Sequence, residues 1–331
     1  MRNEPDGVLG AVMAAESIQG FSALLNSPGG CRSRLQSLMK SCCAQELDSW
    51  GANLGSRFYG RIRTVPCTYL NGRDMVLGSG DRIREAIAAV REGSREPVFI
   101  DTLSASLQVT DDRGICRETG TISAGEGLSS MTFGQGYDSA MRAVLESLAD
   151  RDAERVGGRV NVLGYGISDR GWEYGKRWLE DMLGRCGASD VRFIGCGCTR
   201  RDIEEAGSAE LNILIHPECC ASSADALRGM FGTETLVPSM GSPVGYPATI
   251  GLLEETADRL DADASDAVEA VRSDMRDVNG ILTRNSALIR TLRGCSFSVR
   301  GMVSDILPIC RWMLDELSML PGSLAVMDVP D

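Results

Sequence analysis

Short apolar, β-rich runs alternate with amphipathic helical stretches along almost all of this 331-residue chain, and that alternation limits what it can fold into. The runs that read as strands are Phe21–Leu25, Asp74–Leu77, Val98–Asp101, Val160–Gly164, Val191–Ile194, Leu211–Ile215, Phe297–Arg300 and Leu324–Met327. Between them, apolar residues recur at helical spacing in Ser79–Arg91, Tyr137–Ala149, Trp172–Cys186, Ala221–Phe231 and Thr249–Leu260. Strands that alternate with helices form parallel sheets covered on both faces. The expected class is therefore α/β, built from repeated Rossmann-like units.

Two composition shifts divide the chain. Arg151–Arg159 is charged and contains glycine, and the run Val160–Gly166 then restarts the strand-to-turn pattern. Asp261–Asp266 is acidic and alanine-rich. The expected units are residues 1–150, 151–265 and 266–331. In the last, a helical stretch over Ala267–Arg293 leads into one strand–helix–strand unit that cannot bury both faces of its elements alone. It reads as an incomplete third unit.

Composition narrows the function classes. A net charge of −12 argues against nucleic acid as a partner. No apolar run approaches the length of a membrane span. The start, Met1 to Asp6, is acidic where a signal peptide carries a basic segment, so a cytoplasmic location is expected. Twelve cysteines in such a chain are not read as a disulfide framework.

Two of those cysteines stand apart. Pro28-Gly29-Gly30-Cys31 and Pro66-Cys67-Thr68 place a thiol in a glycine- or proline-shaped turn next to a strand rather than inside a periodic apolar run. A sulfur projected past a sheet edge suits a soft metal or an iron–sulfur cluster. The plain alternative is two reduced cysteines at strand ends.

Several segments, in order, resemble the nitrogenase component 1-type oxidoreductases, a family that includes nitrogenase molybdenum–iron protein subunits, protochlorophyllide reductase subunits and cofactor-assembly scaffolds. They are Ala23–Cys31, Val65–Thr68 followed by Asp74–Ser79, Phe99–Ser104 through Asp112, and Pro243–Thr249. The resemblance implies that Cys31 and Cys67 ligate an iron–sulfur cluster shared with a partner subunit, with Pro28, Gly30 and Thr68 around it. It also implies a component-1-like partner (self or paralogue) and an ATP-dependent iron–sulfur reductase as electron donor. A second metal centre is left unassigned. The chain departs from the family at Leu103, where a third cluster cysteine is common, and at Asn26, where a histidine is usual.

Other residues carry weaker signals. Cys42, Cys43 and Cys116 could replace the missing ligand or pack in the core. Cys196, Cys198, Cys219, Cys220 and the single histidine, His216, fall at predicted strand ends, where open α/β sheets bind ligands, but they lack zinc-site spacing. Gly164–Asp169 reads as a tight strand-to-helix turn, and no P-loop lysine motif occurs. The expected function is an electron-accepting subunit of a nitrogenase-like reductase. The alternatives are a metal-cofactor assembly scaffold and a non-redox, two-lobed binding protein for a tetrapyrrole or metal complex.

Overall fold

The computed structural model describes residues 4–42, 65–108, 110–169 and 171–328. The helices and strands run in the order α1 (Gly7–Glu16), β1 (Phe21–Asn26), α2 (Gly29–Cys42), α3 (Gly72–Leu77), α4 (Gly80–Glu92), β2 (Glu96–Asp101), α5 (Asp112–Thr119), β3 (Ile122–Ser123) and α6 (Phe133–Leu148). They continue with β4 (Val156–Leu163), α7 (Trp172–Arg185), β5 (Asp190–Ile194), α8 (Arg200–Glu204), β6 (Ala209–Leu214), α9 (Pro217–Phe231), β7 (Glu234–Leu236), α10 (Tyr246–Arg259), α11 (Ser265–Arg284), α12 (Ser286–Leu292), β8 (Ser296–Met302), α13 (Val303–Asp315) and β9 (Leu320–Asp328).

All strand pairs are parallel, as the alternation predicts. One sheet has the order β1-β2-β3, the second β5-β4-β6-β7, and the third pairs β8 with β9. Central strands read as unbroken apolar runs because both faces are covered; Phe21–Asn26 is buried throughout. One apolar core spans the first two sheets, containing Val98 and Ile100 from β2 and Val160 and Val162 from β4. Helix α6 joins the sheets by packing on both α1 and α9.

The α1–α6 crossing depends on glycine. A Cβ on Gly136 would stand 2.0 Å from the Gly7 carbonyl oxygen, and one on Gly10 would stand 2.0 Å from that of Phe133. The two backbones thus touch directly. Every residue of α1 is buried, and its Asp6 cap accepts the Leu9 amide at 3.1 Å.

The expected strand Asp74–Leu77 is instead the helix α3. Asn71 Oδ1 accepts the amides of Arg73 and Asp74, at 2.8 and 3.1 Å, and Asp74 Oδ2 accepts that of Asn71 at 2.8 Å. This capping box nucleates a turn of helix that overrides the β preference of a short apolar run. Val76 and Leu77 are left 80% and 71% exposed.

The third unit has a small core of Phe297, Ile306 and Cys310, while β9 is exposed along most of its length. It is fastened to the rest by polar contacts. Asp328 accepts Thr132 Oγ1 and the Gly134 amide, both at 2.7 Å, and Arg300 donates to Glu4 at 3.0 Å.

Candidate functional site

The carboxyl ends of β1 and β2 carry the turns singled out from sequence. Residues 65–70 extend the same sheet on the far side of β1. Leu25 donates to the Pro66 carbonyl at 2.9 Å, and Thr68 donates back to Leu25 at 3.0 Å. Arg32 pins this segment from α2, with Nε donating to the Val65 carbonyl at 2.8 Å and its guanidinium 5.5 Å from the Tyr69 ring centroid. Three turns that are distant in sequence therefore meet at one sheet edge.

Cys31 lies in the first turn of α2, half-buried. Its Sγ is 3.7 Å from Ser104 Oγ on the turn after β2. Cys67, also half-buried, has its Sγ 3.2 Å from Ser27 Oγ, accepts the Tyr69 amide at 3.4 Å and donates to the Ser27 carbonyl at 3.1 Å. Pro28 accepts the Cys31 amide at 3.2 Å. Gly30 is exposed, and a Cβ there would meet nothing within 4 Å. Thr68 is buried. Its hydroxyl accepts the Ser27 amide at 3.1 Å and donates to Asn26 Oδ1 at 3.0 Å, so it braces the turn from behind. Leu103 is 65% exposed beside Ser104, and its amide donates to Ser129.

The donor set fits part of an iron–sulfur cluster. Two thiols sit at one edge with backbone and hydroxyl groups around them, which is the environment cluster sulfurs favour. Among the described residues, no group of three or more His, Cys, Asp or Glu side chains comes together as a metal site. A cluster bound by four thiolates needs ligands from elsewhere. Cys116 does not supply one from the edge, because it packs with Leu24, Ile83, Ile87 and Phe99. Burial, with the nearby Asp101 and Asp112, pushes its thiol up to about 12. Cys43 and the side chain of Cys42 lie outside the described residues.

Asn26 links this edge to two acids that sequence reading missed. Its fully buried amide donates to Asp101 Oδ1 at 2.9 Å and to Asp112 Oδ2 at 3.2 Å. Burial raises both carboxyls; Asp112 is pushed up to about 7 by burial first and then by the charge of Asp101. The pair therefore shares a proton near neutral pH. The signal in the sequence was the polar residue in an otherwise apolar strand.

A second feature is a cavity of about 760 Å³ bounded by α1, α6, the turn after β4, the start of α9 and the third unit. Its wall is apolar at Leu9, Met13, Phe133 and Met302 and polar at Asp169 and His216. Gly164 lets the turn after β4 approach: its φ is +80°, and a Cβ would stand 2.7–3.2 Å from the His216 backbone. Helix α9 is interrupted at Cys220 (φ −150°, ψ 19°). Asp138 from α6 caps the resumed helix by accepting the amides of Ser222 and Ser223 at 2.7 and 2.9 Å. His216 and Cys219, which precede this break, line the cavity. Burial raises the Asp169 carboxyl, an effect that His216 partly offsets.

Cys219 and Cys220 are buried thiols held well above their ordinary range by desolvation. Cys196 and Cys198 lie within the main core, where the Gly195 amide donates to Cys198 Sγ at 3.4 Å. The structure thus separates the two groups of cysteines: Cys31 and Cys67 at an open edge, and Cys196, Cys198, Cys219 and Cys220 packed inside or against the cavity.

Among the described residues, no helix is long and apolar enough to cross a membrane. One of the subunits that make up the light-independent protochlorophyllide reductase of Methylobacterium radiotolerans is 24% identical over 270 residues, which cover 75% of this chain and 46% of that protein. The chain thus spans less than half the length of this relative. Two structures of nitrogenase Cp1, at pH 5 and pH 6.5, superpose with TM-scores of 0.73 and 0.76 at 15% and 14% identity. These superpositions cover 98% of this chain and 64% and 71% of theirs, and they agree with the α/β architecture of parallel sheets. The family model for nitrogenase component 1-type oxidoreductases matches residues 7–289, and the chain belongs to that family.

Proposed function

We propose that the chain is an electron-accepting subunit of a nitrogenase-like reductase. The observation that carries this reading is the convergence of two half-exposed thiols, Cys31 and Cys67, on one sheet edge in a chain of this family. In this reading they hold one share of an iron–sulfur cluster, and a component-1-like partner supplies the rest. When bound, the cluster supplies one-electron transfer. An ATP-dependent iron–sulfur reductase is the electron source.

The protein's own residues do the positioning. The first turn of α2 presents Cys31, and the Tyr69 amide donates to Cys67 Sγ. The turns around it also carry exposed apolar side chains, Tyr69, Leu103 and Leu107, at 50%, 65% and 75% exposure, as a subunit face would. The cavity houses the substrate, with His216 and Asp169 among its polar groups.

The cavity also favours a second reading, a binding protein without redox function. Iron and acid-labile sulfide in anaerobically purified protein separate the two. A stoichiometric cluster supports the reductase, whereas metal-free protein that still occupies its cavity supports the binding protein.

A further inference from the structure

We infer that the cavity takes an apolar-bodied ligand presenting an N–H or O–H group, and that His216 Nε2 is the acceptor that recognises this donor. The inference rests on the proposal that the cavity is the substrate chamber and adds the chemical class of its occupant.

Ser304 fixes the histidine ring. Its amide donates to Glu218 Oε1 at 2.9 Å, and its hydroxyl donates to Glu218 Oε2 at 2.9 Å. A hydroxyl has a single hydrogen, and an ionised carboxylate can only accept. With that hydrogen directed to Glu218, Ser304 Oγ can only accept from His216 Nδ1, which lies 2.7 Å away. The imidazole therefore carries its hydrogen on Nδ1, and Nε2 is left as a bare acceptor. His216 and Glu218 are 6% and 3% exposed, so packing holds the arrangement as well as hydrogen bonding.

Nε2 has no hydrogen-bond partner among the described residues, although His216 lines the cavity. A free acceptor on a cavity wall is open to a donor brought by a ligand. Several other polar groups of the wall are engaged: Asp328 by Thr132 and Gly134, Arg300 by Glu4, Asp305 by Ser242 Oγ at 2.5 Å, and Asp169 by the Gly166 amide at 3.2 Å. The carboxyls of Asp305 and Asp169 lie near the imidazole, and the apolar part of the cavity wall is thioether, aliphatic and aromatic: Met13, Met302, Leu9 and Phe133. That surface fits an apolar body, and the nitrogen selects one that bears a donor.

The test uses the full chain labelled in its single histidine with nitrogen-15 and in its methionine methyls with carbon-13. The probes are indole and benzofuran, which share one bicyclic frame and differ in N–H against oxygen. Spectra are recorded at about pH 9, above the range in which imidazoles ordinarily titrate. The free protein should show a pyridine-like Nε2 signal. Indole should shift both that signal and the Met13 and Met302 methyls, and should bind about tenfold more tightly than benzofuran.

Glu218→Gln reverses the chemistry. Its carboxamide N–H donates to Ser304 Oγ, the hydroxyl then donates to Nδ1, and the ring hydrogen moves to Nε2. Indole should lose its advantage, and isoquinoline, with a ring-nitrogen acceptor, should gain one. Equal binding of indole and benzofuran to the wild-type protein, with shifted methyls and an unmoved Nε2, would overturn the donor rule and leave the chamber intact. If neither probe moves the methionine methyls, the chamber reading falls and the inference falls with it. The wild-type comparison decides the matter if Glu218→Gln does not fold.

Discussion

Replacing Asp112 with asparagine should stabilise the protein at neutral and alkaline pH while changing little in acid. The folded carboxyl is pushed up from 3.8 to about 7, mainly by burial and then by Asp101. The folded state therefore holds a proton that the unfolded state has released. Stability is greatest below about pH 4 and falls as pH rises, until the folded group itself ionises near pH 7. The full shift corresponds to about 4 kcal/mol between protonation states. Asp112 is only half-buried and titrates jointly with Asp101, so about 1–2 kcal/mol is the expected effect. Asparagine has the shape of the protonated acid and can still donate to Asp101. Asp112→Asn should therefore match the wild type near pH 4 and gain about 1–2 kcal/mol above about pH 7. Urea unfolding at both pH values, followed by circular dichroism with matched slopes, measures the difference. An equal effect at both pH values, or a loss of stability at high pH, would refute the shared-proton assignment.

Three further outcomes follow from the geometry. Gly136→Ala forces a Cβ against the Gly7 backbone and should cost about 3 kcal/mol, read as a lowered urea midpoint. Asp328→Ala removes the acceptor of two hydrogen bonds, one of them buried, and should cost about 2 kcal/mol; hydrogen exchange should show β8 and β9 opening first. Charging the thiol edge with Leu103→Glu and Leu107→Glu should weaken self- or partner association by at least about tenfold in sedimentation, because like-charged or desolvated carboxylates disfavour a buried face.

In the first two sheets the strands were largely legible because their inner residues are buried on both faces and read as apolar runs between amphipathic helices. Phe21–Asn26 and Val156–Leu163 contain the expected runs with shifts of a few residues at their ends. Asp74–Leu77 was misread because a capping box works through two polar side chains, which an apolar pattern does not register. Helix α1 carried no periodic signal, since burial on every side removes the polar stripe that marks a helix.

The two edge cysteines stood out because their turns interrupt the periodicity. The acid pair was hidden, because Asn26, Asp101 and Asp112 become neighbours only when β1 and β2 pair and α5 folds back. His216 was visible as the single histidine. The Glu218–Ser304 pair that orients it joins residues 86 positions apart through the docking of the third unit. No local spacing encodes such a contact.

The central claim is that Cys31 and Cys67 ligate a cluster at the sheet edge. Iron and acid-labile sulfide should be measured in anaerobically purified wild-type protein and in five single alanine variants, at Cys31, Cys67, Cys196, Cys198 and Cys219. The first two variants should each lose most of the iron, and the other three should retain it. Wild-type protein without iron, or variants at Cys31 and Cys67 that keep it, would contradict cluster ligation at this edge.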